Sequence, residues 1–333
     1  MRVGGTVQVV VGVVLSVAFL ALAVHNVRPG EVIEHLRHTR YDFLAASMAS
    51  GLVMIWARGL RWAHLFHPAA PSGASLASAT MIGYMANNFL PLRAGEMIRV
   101  YLGMQTGRSF WTVMATLAVE RTLDLLVVLL FLGGVLALVP VPAIVRDGAI
   151  VLVVLDALLI VTLFVLAARP DGTRKAILWP IRRWAGLQAR VDRWLGHFIE
   201  GVQCLKPGRH VAPLVGWTVV IWAVNVAGVW LTMAAAGLEV PPSAALTVLV
   251  FTGLGLAVPS GPGHLGTLEF FVMLSLAIYG VSSSQALGFS VLLRIAAMLP
   301  VTVVGVTLLV GRNLSLRDMR RAARTLRPTG VSK

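Results

Sequence analysis

Apolar residues run along this chain in long blocks, parted by short clusters of charge, proline and glycine. Blocks at about 6–27, 42–66, 109–139, 148–168, 212–236 and 285–311 approach or exceed the ~18–20 apolar residues that cross a bilayer as a helix. Each predicts a membrane-spanning helix. Two further blocks, about 75–105 and 244–281, are interrupted in their middles. The first interruption runs Asn87-Asn88-Phe89-Leu90-Pro91-Leu92-Arg93-Ala94-Gly95-Glu96-Met97-Ile98-Arg99. The second runs Val258-Pro259-Ser260-Gly261-Pro262-Gly263-His264-Leu265-Gly266-Thr267-Leu268-Glu269. Proline removes a backbone donor and glycine permits positive φ, so Pro91, Gly95, Pro259, Pro262, Gly263 and Gly266 mark the breaks. A broken helix at membrane depth frees backbone polar groups, which only protein or a water-filled cavity can satisfy.

Arm lengths decide how these segments are arranged. Residues 244–258 and 267–280 make helices of roughly 22 and 21 Å, short of a ~30 Å hydrocarbon core. The arms around Pro91 are similar. Both segments therefore read as re-entrant hairpins, with two pairs of short full crossings as the alternative. The predicted fold class is an all-α polytopic membrane protein, a helical bundle with two re-entrant or broken helical hairpins. Breaks in corresponding halves also raise an inverted repeat.

Composition sharpens this reading. The chain is 57% hydrophobic and only 13% charged, against ~25% charged for soluble domains, and its mean hydropathy is +0.83. The formal net charge of +14 would suit nucleic acid, but no soluble domain is present to bind it. Basic loops beside membrane helices account for the charge. A single cysteine, Cys204, excludes an internal disulfide and a multi-thiolate metal site. The first block lacks an Ala-x-Ala site followed by a soluble domain, so it reads as a retained helix rather than a signal peptide.

Charge also sets orientation. Residues 169–211 carry nine Lys/Arg against three acids, and the segment after Gly311 carries seven against Asp318. Both should be cytoplasmic, which places both termini of a multi-pass membrane protein inside. The expected layout is one transmembrane domain over 1–311, with pseudo-halves of about 1–168 and 212–311 joined by the connector 169–211. A basic tail, 312–333, follows. Within the connector Trp179, Ile181, Trp184, Leu187, Val191, Trp194, Leu195 and Phe198 recur at helical spacing among arginines. That predicts an amphipathic helix on the inner leaflet, or one packed on the bundle.

Charges inside the apolar blocks are the candidate chemistry, because each costs ~2.5–3.5 kcal/mol at bilayer depth and normally pairs or lines a cavity. Arg93, Glu96 and Arg99 share a helical face. Glu120 and Asp124 are four apart, with Arg121 beside them. One reading is a neutral network pinning the first hairpin to the 109–139 helix. The other has arginines receiving a lipid phosphate through their planar forks. Arg58 and Arg61 read as snorkelling to the interface, or as a phosphate-gathering vestibule. Glu269 is expected to pair with Arg294. His264 reads as a hydrogen-bonding turn residue, or as a proton shuttle. Asp156 reads as a protonated acid or a proton carrier, and Asn225 as an interhelical hydrogen bond or a ligand. No phosphate loop, His-Glu-x-x-His pair or Gly-x-Ser-x-Gly elbow occurs, so no cofactor, metal or enzyme activity is expected. A membrane transferase using Glu269 or His264 as base stays an alternative.

Gly83-Tyr84, Asn87-Asn88, Leu90-Pro91, Arg93-Ala94-Gly95-Glu96 and Arg99 resemble the first motif of the lysylphosphatidylglycerol synthase transmembrane, or flippase-like, family. Glu120-Arg121 with Asp124 is similar to its second motif, and Pro259, Pro262-Gly263, Gly266, Glu269, Gly280 and Arg294 to its third. His264 departs from the pattern, where a small residue is expected. The resemblance implies an inner-membrane protein that moves phospholipid or glycolipid headgroups between leaflets. It carries over only the translocase half, since the chain ends soon after its last apolar block. Arg93, Arg99 and Arg121 would then hold phosphate, and Glu96, Glu120 and Asp124 would position them or meet a cationic headgroup. Glu269 and Arg294 would form a gate. The expected partners are membrane lipids (anionic, aminoacylated or glycosylated) and no nucleic acid, with a homodimer left open. The competing function is a scaffold for a lipid- or glycan-modifying enzyme.

Overall fold

The computed structural model describes residues 3–25, 27–66, 70–90, 94–138, 143–205, 211–255 and 261–312. Among these the ordered elements are all helical. They are α1 (Val3–Val24), α2 (Pro29–Arg37), α3 (Tyr41–His64), α4 (Gly73–Phe89), α5 (Ala94–Met104), α6 (Phe110–Leu138) and α7 (Ala143–Ala168). Then come α8 (Pro170–Leu178), α9 (Ala185–Val202), α10 (Val211–Ala235), α11 (Ser243–Gly255), α12 (Thr267–Ala277) and α13 (Ser283–Gly311). The chain is an all-α polytopic membrane protein. Among the described residues α3, α10 and α13 are each long and apolar enough to cross a bilayer alone.

The frame is the antiparallel pair α3–α10. Ser47 near the start of α3 donates to the Gly228 carbonyl (2.9 Å), while Arg61 near its end donates to Thr218 (3.1 Å). Small residues let these backbones approach, as is usual between membrane helices. On α4 Ala77 abuts Gly59 of α3, and α13 closes on α4 where Gly305 meets Met85.

Both interrupted blocks fold back on themselves. In the first, Gly83 of α4 lies against Gly95 and Arg99 of α5. In the second, the Tyr279 hydroxyl meets Thr247 of α11 at 2.7 Å, and Gly255 lies against Phe271. The two arms of the second hairpin hold 13 and 11 residues, or roughly 20 and 17 Å at ~1.5 Å per residue.

The hairpins start from opposite ends of the bundle. Gly103, at the end of α5, sits beside Val113 at the start of α6 and Trp62 at the end of α3. The first hairpin thus begins and ends where α3 finishes. The second begins after Ala235, whose carbonyl accepts from the Arg40 N–H at the start of α3 (2.9 Å). Its return arm packs with Val229, Met233 and Ala244 at that same end. The tips meet inside, where the Asn88 carbonyl faces Gly263.

Two elements differ from the sequence expectation. A short helix, α2, folds over the opposite end and packs on α13. The connector is not one amphipathic helix but two, α8 and α9, with a 3₁₀ turn at Trp179–Ile181 where Pro180 interrupts the ladder. On α9 Ile199 and Val202 are buried, and Trp194 stacks on Trp111 (5.3 Å). Trp179, Trp184 and Leu187 remain exposed. The connector therefore packs on the bundle through one face and presents aromatics on another.

Candidate functional site

Three helices converge their charges into one cluster. Arg99 on α5 grips Glu120 on α6 through Nη1 and Nη2 (2.9 and 2.7 Å) and lies 4.6 Å above the Trp62 ring. Glu96 bridges Arg99 (3.5 Å) and Arg121. Asp124 takes Arg61 at 2.9 Å on one oxygen and Arg58 on the other. Arg61, Arg99 and Glu120 are fully buried, whereas Arg121 is the exposed member. Four guanidiniums face three carboxylates, which leaves one positive charge in excess among the described residues.

This geometry corrects the snorkelling reading of Arg58 and Arg61. Both turn inward, because α6 offers a carboxylate one helical turn beyond Glu120. The first hairpin is pinned to α6 through Arg99 and Glu96. Its turn is further held by Asn87, whose Oδ1 accepts from the Gly95 N–H at 2.8 Å. A methyl group on Gly95 would overlap the Gly83 carbonyl, so only glycine lets the arms close. Pro91 and Arg93 lie outside the described residues.

The second break carries its own ion pair. Arg294 on α13 binds Glu269 through Nε (2.7 Å) and Nη2 (2.6 Å), the pair expected from the charge pattern. Its guanidinium also donates to the carbonyls of Gly263 (2.5 Å) and His264 (3.3 Å). Glu269 reaches back to accept from the Gly266 N–H (2.7 Å), capping α12. From the other side Ser16 of α1 accepts from the Gly261 N–H (2.8 Å). Here α1 and α13 satisfy backbone groups that lipid could not. Pro262 opens the 3₁₀ turn Pro262–His264, and Pro259 lies outside the described residues.

His264 takes a left-handed backbone conformation. Its φ is +53°, among Gly263 at +64° and Gly266 at +81°. Such a conformation strains a residue with a Cβ, and a glycine there would be unstrained. Gly266→Ala should destabilise the protein by about 2 kcal/mol or more, from left-handed strain plus overlap with the Ser16 carbonyl. Gly280→Ala, also left-handed (φ +74°) but facing open space, should lose about 1 kcal/mol. Unfolding midpoints in detergent check the order.

Beside the first tip, a cavity of about 220 Å³ opens. Its walls come from Ser47–Ile55 on α3, Val224–Val229 on α10 and Leu293–Val301 on α13, the middle of each spanning helix. Tyr84 and Asn88 of α4 complete it. Asn225 faces this space and makes no side-chain hydrogen bond among the described residues, which replaces the interhelical-bond reading. Asp156 on α7 is buried, with neither oxygen hydrogen-bonded among the described residues, and is not part of the cluster, the second break or this cavity. Sequence reasoning named every charge in the cluster but not its full membership. It passed over Tyr84 and Ser50 as cavity walls, since neither carries a charge.

The bundle thus holds two hairpins that start from opposite ends and touch at Asn88 and Gly263, beside a cavity that the first hairpin lines through Tyr84 and Asn88. The family model for the lysylphosphatidylglycerol synthase TM region matches residues 9–305, and the chain belongs to that family. It is also similar to the glycosyltransferase AglD of Haloferax volcanii, 26% identical over 353 aligned residues. That alignment covers 95% of this chain but 56% of AglD, so the chain spans little more than half of that relative. Two UPF0104 membrane proteins of Methanothermobacter thermautotrophicus are 24% and 23% identical. They cover 83% and 92% of this chain, and 85% and 95% of their own lengths. Family and relatives agree in making the chain a membrane protein.

Proposed function

We propose that this protein is a lipid translocase, passing a polar headgroup between leaflets while the acyl tails stay in lipid. The observation that carries the reading is the mid-depth cavity lined by Asn88 of the first hairpin, whose carbonyl also faces Gly263 at the tip of the second. A headgroup reaching that point is halfway across, and displacement of either tip changes which end it can leave by. The charge cluster holds the first tip and the Arg294–Glu269 pair holds the second. The basic connector packs at the end where the first hairpin starts, through Thr112 to the His197 carbonyl (3.2 Å). Positive-inside bias makes that end cytoplasmic, in an inner membrane.

The test is reconstitution of the purified chain in liposomes, following leaflet exchange of headgroup-labelled phosphatidylglycerol and of its aminoacylated form. Exchange at least tenfold above protein-free vesicles, slowed by Glu96→Ala, is the expected result. Background exchange of both lipids by folded protein would remove the reading.

A further inference from the structure

The cluster's arginines are already engaged with carboxylates, and this bears on what the central cavity can recognise. We infer that the cavity binds a small uncharged polyol, the glycerol or single sugar of a lipid headgroup, rather than its phosphate. The inference rests on the translocase reading for its setting and deepens it by naming the chemistry recognised.

Neither carboxylate nor guanidinium lines the cavity. Arg58 is nearby, behind Met54 and Tyr84, but it is taken up by Asp124 and the Met54 sulfur (3.1 Å). Arg294 is occupied by Glu269 and two backbone carbonyls. A phosphate offers only acceptor oxygens and is held best by cations or converging N–H donors. The cavity is walled mostly by apolar residues, among which stands a mixed set of donors and acceptors. The Asn225 carboxamide makes no side-chain hydrogen bond among the described residues. Asn88 donates to Thr302 (3.0 Å) and keeps its carbonyl oxygen and a second N–H. Tyr84 brings a phenol, and Ser50, whose proton goes to the Ser47 carbonyl (2.7 Å), keeps its oxygen as an acceptor. Groups that both donate and accept match hydroxyls, which do the same.

Size agrees. A volume of 220 Å³ holds about seven waters at ~30 Å³ each. That is room for glycerol or one sugar ring. Asn225 also stands amid Trp222-Ala223-Val224 and Val226-Ala227, where an unpaired carboxamide is costly unless a ligand or water meets it.

The deciding experiment is calorimetric titration of the full chain in a sugar-free detergent with three short-chain probes. Dihexanoyl-phosphatidylglycerol carries phosphate and hydroxyls, hexyl glucoside carries hydroxyls alone, and dihexanoyl-phosphatidylethanolamine carries phosphate without hydroxyls. Both hydroxyl-bearing probes should bind at least tenfold tighter than the ethanolamine lipid. Asn225→Leu should abolish that preference. The tighter of the two identifies glycerol or sugar as the source. Equal binding of all three to the wild-type chain, which needs no variant to fold, would overturn the inference, as would a preference that survives Asn225→Leu. Hydroxyl-selective binding without leaflet exchange would remove the translocase reading alone. Exchange without selectivity would remove this inference alone.

Discussion

Arg99→Ala is expected to destabilise the protein by about 3–5 kcal/mol, the usual cost of stranding a buried charge. Glu120 is fully buried, and both its oxygens are occupied by Arg99. Removing the guanidinium leaves that carboxylate without the partner that offsets its desolvation. It also strips the cation from the face of Trp62 and one of the two arginines from Glu96. The double variant Arg99→Met/Glu120→Leu should recover most of the loss, because an apolar pair of similar volume replaces the ion pair without an orphan. Thermal unfolding in detergent of the wild type, Arg99→Ala and the double variant measures this. A single variant that melts with the wild type would mean that Glu120 finds another cation. The expectation changes how transport data on Arg99 should be read, since lost exchange in an unfolding variant says nothing about headgroup contact.

Gly59→Val should be comparably severe, at about 3 kcal/mol or more. A Cβ at Gly59 would overlap the Ala77 Cα and lie 2.6 Å from the Ala77 backbone nitrogen. These are backbone atoms, so no side-chain rotation relieves the clash and α3 must part from α4. Overpacking of ordinary side chains costs about 1–3 kcal/mol, and backbone against backbone lies at or beyond the upper end. On the same helix Gly51→Ala meets only the Ala296 carbonyl, at 3.8 Å, and should stay within about 0.5 kcal/mol of the wild type. Folded yield by size exclusion, together with the unfolding midpoint, separates the two. Equal yields and midpoints would show that α4 shifts freely along α3.

The all-helical bundle and its two breaks were legible in advance, because lipid forces the backbone into helices and proline with glycine then locates the breaks, though of the six long blocks three stand as single spans among the described residues. The Glu269–Arg294 pair was legible for a similar reason: Glu269 had one obvious opposite charge at depth, Arg294. Arg58 and Arg61 were not legible. Their place near one end of α3 fits an interface residue equally well, and only the approach of Asp124 from α6 turns them inward. The cavity was hidden too. Serine, asparagine and tyrosine each have ordinary packing roles, and nothing along the chain says that Ser50, Asn88 and Asn225 face one space. The left-handed turn at His264 was invisible for the opposite reason, since its side chain suggested chemistry while the constraint lay in the backbone.

The late position of α13 has a consequence for biosynthesis. This helix supplies Arg294 to the second break, Thr302 to Asn88 and the surface on which α4 closes at Gly305. The first hairpin leaves the ribosome some two hundred residues earlier, and at ~5–20 residues per second it waits roughly ten to forty seconds for that wall. Through that interval Asn88 lacks its hydroxyl partner, and the nascent bundle depends on the Arg99–Glu120 clasp, which α6 completes early, to keep the hairpin from drifting back into the lipid.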